Sequence, residues 1–253
     1  MKSLVMGLMM VAPMIAAAQS DLTVVDDELS ERFDFLINSL DSNSHLKKAI
    51  KDERSGMYLL VTDTGGRVYS DRSATSIITG DMIEVNNGVM SNRTQSVLAK
   101  ELFSIPRDEV IVYPAKEPKL ATVLIFYDID CEFCQRMHRD TPFLQNSGLE
   151  VRYLAYPRSG VLSESASVMK GIWCRDGDKP ILDYISKAPL SDRQLLIEKG
   201  GTENKCNKNV VFDQYSWGRS LNLSGTPALV FESGEVINHS LKASTIIEKA
   251  FAD

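Results

Sequence analysis

The sequence predicts two units of different class: a small α+β unit near the N-terminus, joined by a helix to a larger α/β unit. Three observations carry this. Val123-Leu124-Ile125-Phe126-Tyr127 is a near-continuous apolar run, the pattern of a buried strand, and it leads into Cys131-Glu132-Phe133-Cys134 and a helix-like stretch. A second strand, Leu149 to Tyr156, follows that helix, and strand–helix–strand in this order is a right-handed parallel crossover in nearly all cases. The stretch from Asp26 to Val85 reads instead as one amphipathic helix and several short antiparallel strands.

In chain order, Met1-Lys2 and the apolar run Leu4 to Ala18 end on small residues, the pattern of a cleaved secretory signal over residues 1–18. The run is too short to span a bilayer comfortably, and Pro13 interrupts it. Residues 19–90 form the first unit. Leu29, Phe33, Leu36, Ile37 and Leu40 recur at helical spacing; Met57 to Thr62 and Arg67 to Ser70 are strands about the turn Asp63-Thr64-Gly65-Gly66. Short strands are expected at Ser76–Thr79 and Met82–Val85. So small a unit buries too little surface to be stable alone, and pairing with a second copy is the simplest remedy.

Residues 91–105 read as a linker helix, capped by Ser91 or Asn92 and stopped at Ile105-Pro106. Its apolar residues Val97, Leu98, Leu102 and Phe103 fit a core stripe or a connecting helix equally. The second unit, residues 106–253, opens with a strand at Val110–Tyr113 and a polar loop to Leu120. Pro142 is predicted to kink the helix that begins at the cysteines. Ser163 to Gly200 is mostly helical, with Val168, Met169, Ile172 and Trp173 as its apolar face, and Asp213 to Leu223 is a further helix. Strands at Ala228–Phe231 and Glu235–Asn238 flank Ser233-Gly234, and a helix from Lys242 to Phe251 closes the chain.

With 28 basic against 34 acidic residues and no basic run, the chain is a poor candidate for binding nucleic acid. Cys131 and Cys134 in the first turn of a helix meet unpaired amides and the positive dipole end, which stabilise a thiolate, the nucleophile of disulfide exchange. Residues three apart on a helix are neighbours, so the second thiol can close on the first. Four cysteines in an exported chain imply two disulfides. Of three possible pairings this geometry picks Cys131–Cys134 as the reachable, labile pair and leaves Cys174–Cys206. A zinc site needs a second close pair of ligands, whereas Cys174 and Cys206 are far apart and His45, His138 and His239 are scattered. No metal and no cofactor are therefore expected. The acidic residues Asp128, Asp130 and Glu132 admit two readings. Asp130 caps the helix and Glu132 favours its dipole, or the anions disfavour the Cys131 thiolate and raise its pKa.

Several ordered stretches resemble the DsbC/DsbG family of periplasmic thiol:disulfide interchange proteins, most nearly DsbC. They are Phe126 to Cys134, Val151-Arg152-Tyr153-Leu154-Ala155-Tyr156-Pro157-Arg158, Ile172-Trp173-Cys174 and Leu223-Ser224-Gly225-Thr226-Pro227-Ala228, with Ile77-Ile78-Thr79-Gly80 extending the likeness into the first unit. The resemblance implies a cystatin-like dimerisation domain, a linker helix and a thioredoxin-like domain with a helical insertion, assembled as a V-shaped homodimer. By position, Cys131 is the nucleophile and Cys134 the resolving thiol. Thr226-Pro227 is the substrate-binding loop with a cis proline, and Cys174–Cys206 is the structural disulfide. The activity implied is a disulfide isomerase or reductase acting on misfolded exported proteins in the periplasm, kept reduced by a DsbD-like membrane thiol reductase. Two alternatives are a DsbG-like reductase of oxidised single cysteines and a holdase or assembly factor for a secretion or conjugation apparatus. The chain departs from the family at Glu132-Phe133, where Gly-Tyr is usual, at Gln135, where His is frequent, and at Asp130, where Thr is common.

Overall fold

The computed structural model describes residues 25–116, 118–174, 182–184, 186–187 and 209–252. The signal segment, Cys206 and most of the stretch 175–208 lie outside the described residues.

The first unit begins with helix α1, Asp27–Leu40, whose first turn is capped by Asp26 accepting from the Leu29 amide at 2.8 Å. Its apolar stripe, Leu29, Phe33 and Ile37, packs on Tyr58 and Leu60 of an antiparallel sheet. The strands of that sheet are β1 (Leu46–Lys51), β2 (Tyr58–Thr62), β3 (Arg67–Ser70) and β4 (Ile77–Ile78), in sequence order. Strand β1 has no counterpart in the sequence reading. Its residues Leu-Lys-Lys-Ala-Ile-Lys do not alternate, because a bulge between Leu46 and Lys48 resets the register on β2. Strand β2 is buried at every position since both faces of the sheet are covered. While Leu60 faces α1, Leu59 and Val61 face helix α2 (Arg93–Leu102) and the second unit.

A separate hairpin, β5 (Ile83–Asn86) and β6 (Val89–Asn92), turns at Asn87-Gly88 with both residues at positive φ. Asn-Gly is the pair this turn demands. The strand β6 runs directly into α2, where Asn92 accepts from the Gln95 amide at 2.8 Å. Leu98, Ala99 and Leu102 of α2 are fully buried between the two sheets, so this helix is a core stripe as well as a connection.

The second sheet has the order β11-β10-β8-β9-β7. Its strands are β7 (Ile111–Tyr113), β8 (Ala121–Tyr127), β9 (Leu149–Ala155), β10 (Ala228–Phe231) and β11 (Val236–Ile237). Only β8 and β9 are parallel, with Tyr127 opposite Ala155. Helix α3 spans Glu132–His138 and α4 spans Thr141–Asn146. Pro142 therefore does not kink one helix, as the sequence predicts. It sits in the first turn of a new helix, where a missing N–H costs nothing. Among the described residues the second unit also has helices α5 (Glu164–Trp173), α6 (Val210–Ser220) and α7 (Ala243–Phe251). Alternation divides the sheet: Val123, Ile125 and Tyr127 face the cysteines, α4, α5 and α7, while Leu124 and Phe126 face α6 and α2.

The first unit docks on α6. Lys47 donates to the Asp213 carbonyl at 2.8 Å and lies 5.1 Å over the Trp217 ring. Gly65, at φ +88°, lies so close to Ser216 and Arg219 that a side chain there would collide with them. Part of the burial expected from a second copy is thus supplied within the chain.

Candidate functional site

Strand β8 delivers the site. The loop Asp128-Ile129-Asp130 follows Tyr127, and Cys131 then caps α3 with its own sulfur, accepting from the Cys134 amide at 3.3 Å. The cap is Cys131, not Asp130, because Asp128 Oδ1 accepts from the Asp130 amide at 2.9 Å and holds that residue back in the loop. The antiparallel register of Ala228 on Phe126 brings the end of the Leu223–Pro227 loop alongside. The Cys131 thiol donates to the Thr226 carbonyl at 3.2 Å, and the Thr226–Pro227 bond is cis. Under this carbonyl Cys131 is only 1% exposed, so it is less reachable than a helix-end cysteine is expected to be. Beside it Phe133 stands half exposed with the Arg136 guanidinium 4.7 Å from its ring, and Leu162 is fully exposed in the loop after β9.

The two thiols differ in acidity. Cys131 is lowered to about 6, first by hydrogen bonding from the Cys134 side chain, against the cost of burial, with help from the Cys134 amide and the Arg158 charge. Cys134, fully buried, is raised well above the usual thiol range, first by desolvation and then by the neighbouring Cys131. The arrangement offers one thiolate at neutral pH and one thiol held in reserve, which is the asymmetry that stepwise disulfide exchange needs.

Arg158 is a site residue that the sequence reading did not single out. Its amide and Nε donate to Asp128 Oδ2, each at 2.9 Å, and its Nη2 donates to the Asp130 carbonyl at 3.0 Å. The buried Asp128 carboxylate is thereby paired and the loop before Cys131 is held to the loop after β9. Thirty positions separate the partners, and only the parallel register of β8 on β9 joins them. Glu132 is exposed and pairs with Arg136 at 3.1 Å. Asp128 is thus matched by Arg158, and hydrogen bonds together with the Arg158 charge outweigh burial and leave Cys131 lowered.

Cys174, at the end of α5, is disulfide-bonded; its expected partner Cys206 lies outside the described residues. Among the described residues no three His, Cys, Asp or Glu side chains form a group that could hold a metal ion, and no helix is long and apolar enough to cross a membrane.

A family model described as a thioredoxin-like domain matches residues 107–246. The thiol:disulfide interchange protein DsbC of Salmonella typhimurium is 33% identical over 184 residues, covering 72% of this chain and 71% of that protein. DsbC of Haemophilus influenzae is 31% identical over 194 residues, covering 76% of this chain and 78% of that one. A solved disulfide interchange protein from Neisseria gonorrhoeae is 24% identical, with a TM-score of 0.47 over 59% of this chain and all of that one.

Proposed function

This chain belongs to the DsbC family of thiol:disulfide interchange proteins, and from that membership we propose that it isomerises wrong disulfides in exported proteins. The observation that carries the proposal is the split acidity of Cys131 and Cys134 at one helix end. Cys131 attacks a substrate disulfide as the thiolate and forms a mixed disulfide. A second substrate thiol then displaces Cys131, which is isomerisation, or Cys134 does so, which is reduction. The Thr226 carbonyl and Pro227 line the approach, and the apolar Phe133 and Leu162 give an unfolded chain surface to rest on.

We assign this work to the periplasm, where disulfides persist, and read residues 1–18 as the signal that directs the chain there. Residues 19–90 serve as the dimerisation domain, 91–105 as the linker helix and 106–253 as the catalytic domain. Cys174–Cys206 is the structural disulfide of that domain. Isomerisation needs a reduced site, so a DsbD-like membrane thiol reductase is the partner. The exposed hairpin β5–β6, with Ile83, Val85, Val89 and Met90 at its surface, is the face a second copy would cover.

Refolding a scrambled multi-disulfide protein tests the assignment. Cys131→Ala is expected to abolish rescue, while Cys134→Ala keeps isomerisation and loses net reduction. Equal rescue by the wild type and Cys131→Ala would mean that the protein holds chains and does not exchange their disulfides.

A further inference from the structure

Behind Cys134 lies a buried polar array that the exchange scheme above leaves unused. His138 is one helical turn beyond Cys134 on α3, at the i+4 spacing that puts two side chains on one face. It is 2% exposed. Three neighbouring strands bring tyrosines against it: Tyr113 of β7 and Tyr153 of β9 each at 5.1 Å between ring centroids, and Tyr127 of β8 at 6.3 Å.

The hydrogen bonds in this array have a direction. His138 Nε2 is 2.8 Å from Asp183 Oδ1, and a carboxylate only accepts, so Nε2 carries the proton. Nδ1 then carries the lone pair and accepts from Thr141 Oγ1 at 3.5 Å, which is itself 2.7 Å from the Tyr153 hydroxyl. The Tyr113 hydroxyl donates to the same Asp183 oxygen at 3.0 Å. Asp183 is half exposed and opens the array to solvent. Tyr127 is the exception. Its ring is fully buried and its hydroxyl has no hydrogen-bond partner among the described residues, an uncommon state for a buried polar group. It belongs to the same packed cluster as Cys131 and Cys134.

We propose that His138 is the buried proton acceptor for Cys134, and that the Tyr127 hydroxyl donates to the Cys134 sulfur as it becomes anionic. The proposal rests on the interchange reading above and deepens it. In the mixed disulfide Cys131 is no longer charged, so burial is the main obstacle to ionising Cys134. The bond from Cys134 Sγ to Cys131 Sγ forms as the bond from Cys131 Sγ to the substrate sulfur breaks, and that electron pair leaves on the substrate sulfur. The two cysteines are oxidised and the substrate is reduced. The Cys134 proton passes to His138 Nδ1, with the Tyr153–Thr141 hydroxyl pair as its path, and then to water on the Asp183 side; the substrate thiolate is protonated by solvent. Burial lowers the pKa of His138 against the pull of Asp183, with Lys187 adding to the lowering, so the ring is neutral and ready to accept at neutral pH. The speed of this transfer decides how long a mixed disulfide survives, and so how exchange divides between isomerisation and reduction.

Stopped-flow reaction of the reduced full-length protein with Ellman's reagent separates the two steps, since each sulfur attack releases one chromophoric thiol. The fast phase reports Cys131 and the slow phase Cys134. Tyr127→Phe removes a hydroxyl that has no hydrogen-bond partner among the described residues, so the fold is kept; its slow phase is expected to be about tenfold slower, the weight of one hydrogen bond to a charged group. For His138→Gln the slow phase falls on the order of 10²-fold. In the wild type the slow rate climbs as pH rises through the His138 titration and then levels off, whereas in His138→Gln it climbs steadily. The groups facing His138 (Tyr113, Tyr127, Thr141, Tyr153, Asp183 and Lys187) are unchanged in that variant. A Tyr127→Phe slow phase within about twofold of wild type overturns the proposal, whether or not His138→Gln folds. Absence of the fast phase from the wild type would sink the interchange reading instead.

Discussion

Arg158 and Glu132 carry opposite charges near one sulfur, yet their weights differ. Arg158 is fixed by three hydrogen bonds to Asp128 and Asp130 and contributes directly to lowering Cys131. Glu132 is in water and already paired with Arg136, where screening leaves it little influence. Arg158→Ala should therefore move the Cys131 thiolate titration upward from about 6 toward the ordinary thiol range. It should also cost roughly 1–3 kcal/mol of stability, because it strips the buried Asp128 of its partner while water replaces part of the loss. Glu132→Gln should leave the titration in place. Thiolate absorbance against pH reads both variants. The sign follows from the lowered pKa: reactivity toward an alkylating agent is lost as pH falls through about 6 and is present above it. Coincident curves for Arg158→Ala and wild type would remove Arg158 from the account.

At the scale of elements, β2 is the informative strand. Tyr58, Leu59, Leu60 and Val61 form a run without alternation, and the structure gives the reason: α1 covers one face of the sheet while α2 and α6 cover the other. Leu60→Ala and Leu59→Ala should each cost about 2–5 kcal/mol, since both side chains are fully buried. A first unit that stood apart from the second would leave Leu59 exposed and Leu59→Ala nearly silent. Urea midpoints of the two variants, compared at constant slope, decide between docked and detached. How much of an element is legible depends on which interaction forms it. Helix α1 and β8 declare themselves through periodicity and apolar runs. Strand β1 does not, because its bulge and its three lysines erase the alternation, and Lys47 finds its place only against Asp213 and Trp217. The break between α3 and α4 is also hidden, as Pro142 fits a kink and a helix start equally well.

At the scale of the whole molecule, assembly turns on the apolar surface that the chain leaves uncovered. The docking of the first sheet on α2 and α6 satisfies one face of the small unit within the chain, while the hairpin β5–β6 keeps Ile83, Val85, Val89 and Met90 exposed. Val85 and Met90 are paired across it, and both are more than half exposed. Val85→Glu combined with Met90→Glu should shift the protein from dimer to monomer in light scattering, leave its thermal midpoint nearly unchanged at low concentration, and lower isomerisation more than reduction. A monomeric wild type would remove the hairpin from the account of assembly.

Much of the chemistry was readable from residues alone. The apolar strand leading into Cys131 and Cys134 and the strand that follows are local patterns, and local patterns survive in sequence because neighbours along the chain are neighbours in space. The order of motifs around Trp173-Cys174 and Thr226-Pro227 carried the family for the same reason. What the tertiary structure alone decided is everything that depends on register between distant strands. The pairing of β8 with β9 sets Arg158 against Asp128, so that a matched ion pair and not a bare carboxylate stands beside Cys131. The three adjacent strands β7, β8 and β9 bring Tyr113, Tyr127 and Tyr153 around His138, a histidine that sequence shows only as scattered. A side chain's electrostatic worth is set by burial and by partners many residues away, and neither is written in its own neighbourhood of the chain.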